Sequence, residues 1–152
     1  MDAGRPAAHT GRMPDIAADR HAIQDVIVTY AASIDDRDFE AYRACFMDDI
    51  ELSGFGPEPV RGVDTWMAFV EKALAPYRAT QHMLGVPKIE IDGDKAHMRT
   101  DLQASHFPSD PAEKTMILWA TYETDLVRTN DGWRMQRHNL VTRATKLDAG
   151  TR

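Results

Sequence analysis

Ala96-His-Met-Arg-Thr-Asp-Leu-Gln-Ala-Ser-His-Phe107 alternates residue by residue. Ala96, Met98, Leu102, Ala104 and His106 fall on one face, and His97, Arg99, Asp101, Gln103 and Ser105 on the other. A period of two with one mostly apolar face is the mark of a half-buried strand. Neighbouring segments extend the pattern. Asp92-Gly93-Asp94 reads as a hairpin turn. Thr80 to Ile91 reads as a preceding strand, with Gly85 and Pro87 predicting a bulge or bend. Downstream, Pro108 to Glu113 is a loop and Lys114 to Arg128 a long strand. Asn130-Asp131-Gly132 is a second turn, and Trp133 to Ala144 the last strand.

Before Arg78 the period is different. From Ile23 onward, Val26, Ile27, Tyr30, Ala31 and Ile34 make one helical stripe, so a helix is expected over Asp15 to Ile34. Asp35-Asp36-Arg37 interrupts it. Asp38 has the chemistry of an N-cap for a short helix carrying Phe39, Tyr42 and Phe46. Ile50 to Leu52 reads as a short strand, and Gly54 to Pro59 as a loop. A third helix is expected from Gly62 to about Ala75, with Trp66, Phe69, Val70 and Leu74 on one side and Pro76 ending it. Three helices followed by a long antiparallel meander is the α+β layer pattern. A curved sheet of this kind leaves a hollow against the helices.

The chain has 152 residues, 43% hydrophobic and 28% charged, which suits one globular domain with a real core. Residues 15–145 are expected to form it, with tails at 1–14 and 146–152. Met13-Pro14-Asp15 offers a second possible start of translation. The net charge of −6, without a basic stripe, argues against nucleic acid. The single cysteine, Cys45, excludes an internal disulfide and reads as a small buried residue on a helix. No apolar run is long enough to span a membrane, and the residues around Arg5 and Arg12 lack the apolar segment of a secretory signal. A cytoplasmic location is the default expectation.

Few residues offer chemistry. There is no glycine-rich phosphate loop, Gly-x-Ser-x-Gly elbow or His-Glu-x-x-His, and no histidines share metal-ligand spacing. No metal or other cofactor is expected. Asp35 lies just past the apolar stripe of the first helix, five residues after Tyr30. It is either a solvated turn residue or a cavity carboxylate. His82 keeps strand parity with Thr80, Leu84 and Val86, and His106 with Met98, Leu102 and Ala104. Each is either a core histidine or a titratable group in a cavity. An imidazole in an apolar pocket beside a carboxylate is tuned to act as a base near neutral pH.

Two stretches, Tyr30-Ala-Ala-Ser-Ile-Asp35-Asp-Arg-Asp-Phe-Glu and Thr80-Gln-His82-Met-Leu-Gly85, resemble the SnoaL-like group of the NTF2-like superfamily. That group includes scytalone dehydratase, bile-acid 7-alpha-dehydratase and lindane dehydrochlorinase. The resemblance spans about residues 17–145 and includes the closing Asp131-Gly132-Trp133-Arg134 hairpin. It implies a cone-shaped α+β fold, with helices packed on a strongly curved, mostly antiparallel sheet. It also implies a cofactor-independent lyase with an Asp35–His82 dyad as general base. Tyr30 and His106 are the implied hydrogen-bond donors, and Arg143 the implied anion-binding residue. Ile34 stands where scytalone dehydratase has a Tyr. Thr121 and Glu123 stand where it has Ser and Asn, so scytalone itself is not the expected substrate.

The expected pocket walls are Phe55, Trp66, Phe69, Leu84, Met98, Leu102, Phe107 and Trp119, with Thr121 beside them. Such a lining suits a hydrophobic ring-bearing molecule such as a steroid, terpenoid or aromatic polyketide. The rivals are an isomerase of the ketosteroid type, a polyketide cyclase, and a non-catalytic binder or dioxygenase small subunit. Outward Trp or Tyr mixed with Arg and Thr on the last strands suits a homo-oligomer, a dimer or a trimer.

Overall fold

A computed structural model describes residue 13 and residues 15–149. The expected N-terminal tail, Met13 apart, lies almost wholly outside them. The first helix, α1 (Ile16–Asp35), starts where the Asp15 side chain accepts the Ala18 N–H at 3.0 Å. Its stripe of Ile23, Ile27, Tyr30, Ala31 and Ile34 is buried, as helical spacing requires. The second, α2 (Phe39–Arg43), is capped by Asp38 accepting the Ala41 N–H. Phe46 is not on it. Phe46 opens strand β1 (Phe46–Ser53), which starts earlier than expected, and packs edge-on against Tyr42. A two-residue strand, β2 (Val60–Arg61), and the helix α3 (Val63–Leu74) follow.

The sheet then takes over with β3 (Tyr77–Leu84), β4 (Lys88–Asp92), β5 (Lys95–Pro108), β6 (Thr115–Thr129) and β7 (Gly132–Asp148). The strand expected over 80–91 is two strands. β3 pairs the far half of β5 (Leu84 opposite Leu102), and β4 pairs the near half (Lys88 opposite Arg99). Gly85, Val86 and Pro87 make the step between them, with the Gly85 N–H on the Asp101 carbonyl at 2.7 Å. Proline lacks the N–H a continuous strand would need.

The sheet order is β2-β1-β7-β6-β5-β3, with β4 beside β3 along β5. All pairings are antiparallel except β1 with β7. β7 runs to Asp148, opposite Thr115, so residues 146–148, expected in the tail, belong to the sheet. Register slips near Trp119–Ala120 and Asp125–Leu126 interrupt the β6–β7 ladder, and such bulges bend a sheet. Its concave face carries Met98, Leu102, Ala104, Tyr122, Leu126 and Met135, all buried against the helices. Among the described residues no helix is long and apolar enough to cross a membrane.

Candidate active site

The last turn of α1 brings Asp35 against the edge strand β3. Its Oδ1 lies 2.8 Å from the His82 ring Nδ1, and its Oδ2 accepts the His82 backbone N–H at 2.7 Å. The Thr80 hydroxyl donates to Oδ1 at 2.9 Å. Burial works to raise the Asp35 pKa, but the His82 ring, the His82 backbone N–H and Thr80 outweigh it and hold the carboxyl below its ordinary value. An ionised carboxylate only accepts. The His82 proton therefore sits on Nδ1, and Nε2 is left as the basic nitrogen.

His82 lines a cavity of about 280 Å³ between the helices and the concave face. Its walls include Tyr30, Tyr42, Phe55, Trp66, Phe69 and Tyr122. The buried hydroxyls of Tyr30, Tyr42 and Tyr122 interact with one another, and Trp66 Nε1–H donates to the Tyr42 hydroxyl at 3.2 Å. Burial raises all three phenol pKa values, so at neutral pH these are proton donors. His106 stands opposite Thr80 on β5, its ring 6.1 Å from that of His82. Burial foremost, then the neighbouring His82, pushes His106 down to about 4. It is neutral at neutral pH, and its buried Nδ1 has no hydrogen-bond partner among the described residues. A buried polar atom without a partner is uncommon and calls for an explanation, and beside a hollow a ligand group supplies one.

A dyad, neutral donors and an apolar hollow thus share one end of the sheet. The SnoaL-like domain family matches residues 15–139. The chain belongs to the SnoaL-like family. Its NTF2-like architecture is shared with solved structures, among them a candidate scytalone dehydratase from Novosphingobium aromaticivorans, at TM-score 0.81, 23% identity, and 90% and 91% of the two chains. A hexachlorocyclohexane dehydrochlorinase (LinA, type 2) superposes at TM-score 0.81 with 22% identity over 90% and 93%. These likenesses show the fold. An uncharacterised protein of Mycobacterium tuberculosis is 28% identical over 124 residues, 79% of this chain and 82% of its own.

Of the residues expected at the SnoaL-like site, Tyr30, His82, His106, Phe55, Trp66 and Phe69 border the cavity, and Asp35 stands behind His82. The others do not border it. Met98 and Leu102 lie in the closed core. Leu84 borders a separate groove between α1 and β3, with Val28 and Ala32. Phe107, Trp119, Thr121 and Arg143 are on the convex face. Phe107 carries the Arg78 guanidinium 5.7 Å above its ring. Trp119 pairs with Gln103, and Thr121 with Asp101. Arg143 Nε–H donates to Thr121 Oγ1 at 3.2 Å, and Thr121 to Asp101 at 2.6 Å. Arg143 therefore lies outside the hollow in which the expected anion-binding role would require it.

Residues not expected in the walls take their place: Tyr42, Tyr77, Met116, Leu118, Tyr122 and Leu140 line the cavity. The parity signal was there for Met116, Leu118 and Tyr122, which share the inward face of β6 with Ala120. His138, fully buried next to Tyr30 and Tyr122, was missed as well. Gly54 closes this end. Its φ is +82°, and a Cβ there would sit 1.9 Å from the Leu140 carbonyl oxygen, so only glycine lets the Phe55 loop lie so close to β7.

Proposed function

We propose that this SnoaL-like protein is a cofactor-independent lyase that eliminates water from a small hydrophobic ring compound bearing a hydroxyl β to a carbonyl. One observation carries the reading: a carboxylate-anchored imidazole on the wall of an apolar hollow, with its second nitrogen free of the anchor. His82 Nε2 takes the proton from the carbon next to the carbonyl. The C–H electron pair becomes the new C=C bond as the C–O bond breaks, and the imidazolium returns the proton to the departing hydroxide. Net, one water leaves. The step moves protons and no redox equivalents. Asp35 fixes the tautomer and stabilises the imidazolium, the role carboxylates play beside catalytic histidines. Tyr30 donates a hydrogen bond to the developing enolate or to the leaving oxygen, and neutral His106, whose ring already bonds the Met116 backbone, offers its unpaired Nδ1 as an acceptor for a substrate hydroxyl.

A cavity of about 280 Å³ is at the small end of ligand pockets. It suits one or two rings better than a four-ring steroid. The tyrosine cluster would serve an enone isomerisation equally well, and that is the second reading.

The experiment is a panel of one- and two-ring β-hydroxycarbonyl compounds incubated with wild type and His82→Ala. Loss of one water by mass, in wild type alone, is the expected result. A product of unchanged mass favours isomerisation. Equal turnover by His82→Ala overturns the base assignment.

A further inference from the structure

Arg37 has a left-handed backbone, φ +59°, the only non-glycine of positive φ among the described residues. L residues other than Asn, Asp and His seldom adopt it. A turn that only had to reverse the chain could hold Gly or Asn there at lower cost. The Arg37 side chain turns back onto the site instead. Its Nη1 donates to the Ile34 carbonyl at 2.6 Å and to the Thr80 hydroxyl at 2.8 Å. Its buried Nη2 has no hydrogen-bond partner among the described residues, a second cost that a purely structural clamp would shed.

The consequence lies in one proton. Thr80 Oγ has one hydrogen to give. Because Arg37 donates to that oxygen, the Thr80 hydrogen is aimed at Asp35 Oδ1, 2.9 Å away. Oδ1 is the same oxygen that faces His82 Nδ1. Arg37 thus donates to Thr80, and Thr80 and His82 Nδ1 both donate to Asp35, so the four side chains form one hydrogen-bonded network that converges on the carboxylate.

We propose that Arg37 and Thr80 are a positioning pair, which pins the Asp35 carboxylate so that His82 keeps its proton on Nδ1 and its Nε2 lone pair toward the cavity. The pair touches no substrate. This inference rests on the elimination reading above only for its effect on turnover. Its effect on the His82 tautomer can be read without any substrate.

The test uses the full chain labelled with ¹⁵N-histidine, with His82 assigned by its loss in His82→Gln. Ring-nitrogen shifts in wild type should report a pyrrole-type Nδ1 and a pyridine-type Nε2. Arg37→Gly removes the guanidinium, and relief of the left-handed backbone offsets part of the two hydrogen bonds lost, so the fold is checked by circular dichroism alongside. Arg37→Gly and Thr80→Val should each populate the opposite tautomer, and Thr80→Ser should restore the wild-type pattern. In turnover, Arg37→Gly and Thr80→Val should each lose about 10- to 100-fold in kcat, the cost of a small misplacement, with KM within about twofold. The double variant should lose no more than the worse single one, because both act through one carboxylate. Wild-type ring shifts in both Arg37→Gly and Thr80→Val overturn the proposal. Altered shifts with no activity in any variant, wild type included, sink the elimination reading and leave the positioning pair standing.

Discussion

The Asp35 carboxylate grips His82 twice, through the ring Nδ1 at 2.8 Å and through the backbone N–H at 2.7 Å. The two contacts do different things. The backbone bond ties the end of α1 to the edge strand β3, which no other strand among the described residues covers on that side. The ring bond sets which nitrogen is basic. The feature that joins helix to sheet therefore also orients the imidazole.

Asp35→Asn separates these roles. An amide can still meet the backbone, but it presents a neutral partner to Nδ1 and no longer stabilises the imidazolium. Turnover on the true substrate should fall about 10²- to 10⁴-fold, the range assigned to positioned acid–base groups. The far-ultraviolet circular dichroism spectrum should be unchanged. Full activity of Asp35→Asn rules out the dyad.

Much of the fold was legible because it rests on local periodicity. The α1 stripe from Ile23 to Ile34, the inward face of β5 from Ala96 to His106 and both hairpin turns follow from spacing alone. The site was legible where the chain is regular: Asp35 ends a helix and His82 lies in a strand. It was lost at irregularities. On β7 the inward residues are Trp133 and Met135, then His138 and Leu140. The slip beside Asp125 and Leu126 shifts the parity between them, so His138 cannot be placed by counting from Trp133. Arg143 lies next to the second slip, at Trp119 and Ala120, and turns outward. Trp119 and Phe107 are large and apolar, yet each is one residue out of phase with its strand's inward face. Size was a poorer guide than parity.

Acid should weaken the fold through the buried histidines. Burial drives His138 down to about 3 and His106, chiefly for the same reason, to about 4. The unfolded chain binds protons at these residues from about pH 6.5 downward, and the folded chain does not until far lower. Stability is therefore fully present above about pH 6.5 and is lost as pH falls toward 4. At pH 5 each histidine withdraws about 2 kcal/mol relative to pH 7.5. Urea unfolding at the two pH values should show this decline. His138→Gln should flatten it even if it lowers stability at pH 7.5, because the substituted side chain does not titrate. An unchanged pH slope in His138→Gln sinks this account.

Gly54→Ala should be severe. The added methyl meets the Leu140 carbonyl at 1.9 Å, and φ +82° strains any side chain. Backbone must move, and with it Phe55, whose ring packs against Trp66 at 4.9 Å and stacks near His138 at 5.8 Å. A loss of at least about 2 kcal/mol in unfolding free energy is expected. Gly56→Ala is the control, since among the described residues nothing lies within 4 Å of where its Cβ would stand. If both substitutions cost the same, close approach is not what selects glycine at position 54.

Phe69 tests whether the hollow is where the substrate binds. It is 38% exposed and stacked on Trp66 at 5.3 Å, on the cavity wall. Most of the ring is already buried against Trp66, so Phe69→Ala should lower stability by about 1–2 kcal/mol and leave the fold intact. A bound ring compound would cover the exposed remainder and gain apolar burial worth about 1–2 kcal/mol, or about 10-fold in affinity. The expected result is KM raised by about that factor with kcat almost intact, because the contact is the same in ground and transition states. Trp66→Ala is the contrast: Trp66 is fully buried and donates to Tyr42, so its loss should lower stability by about 3–5 kcal/mol. If Phe69→Ala leaves KM untouched while Arg143→Ala raises it, the substrate binds on the convex face, and the hollow is not the site.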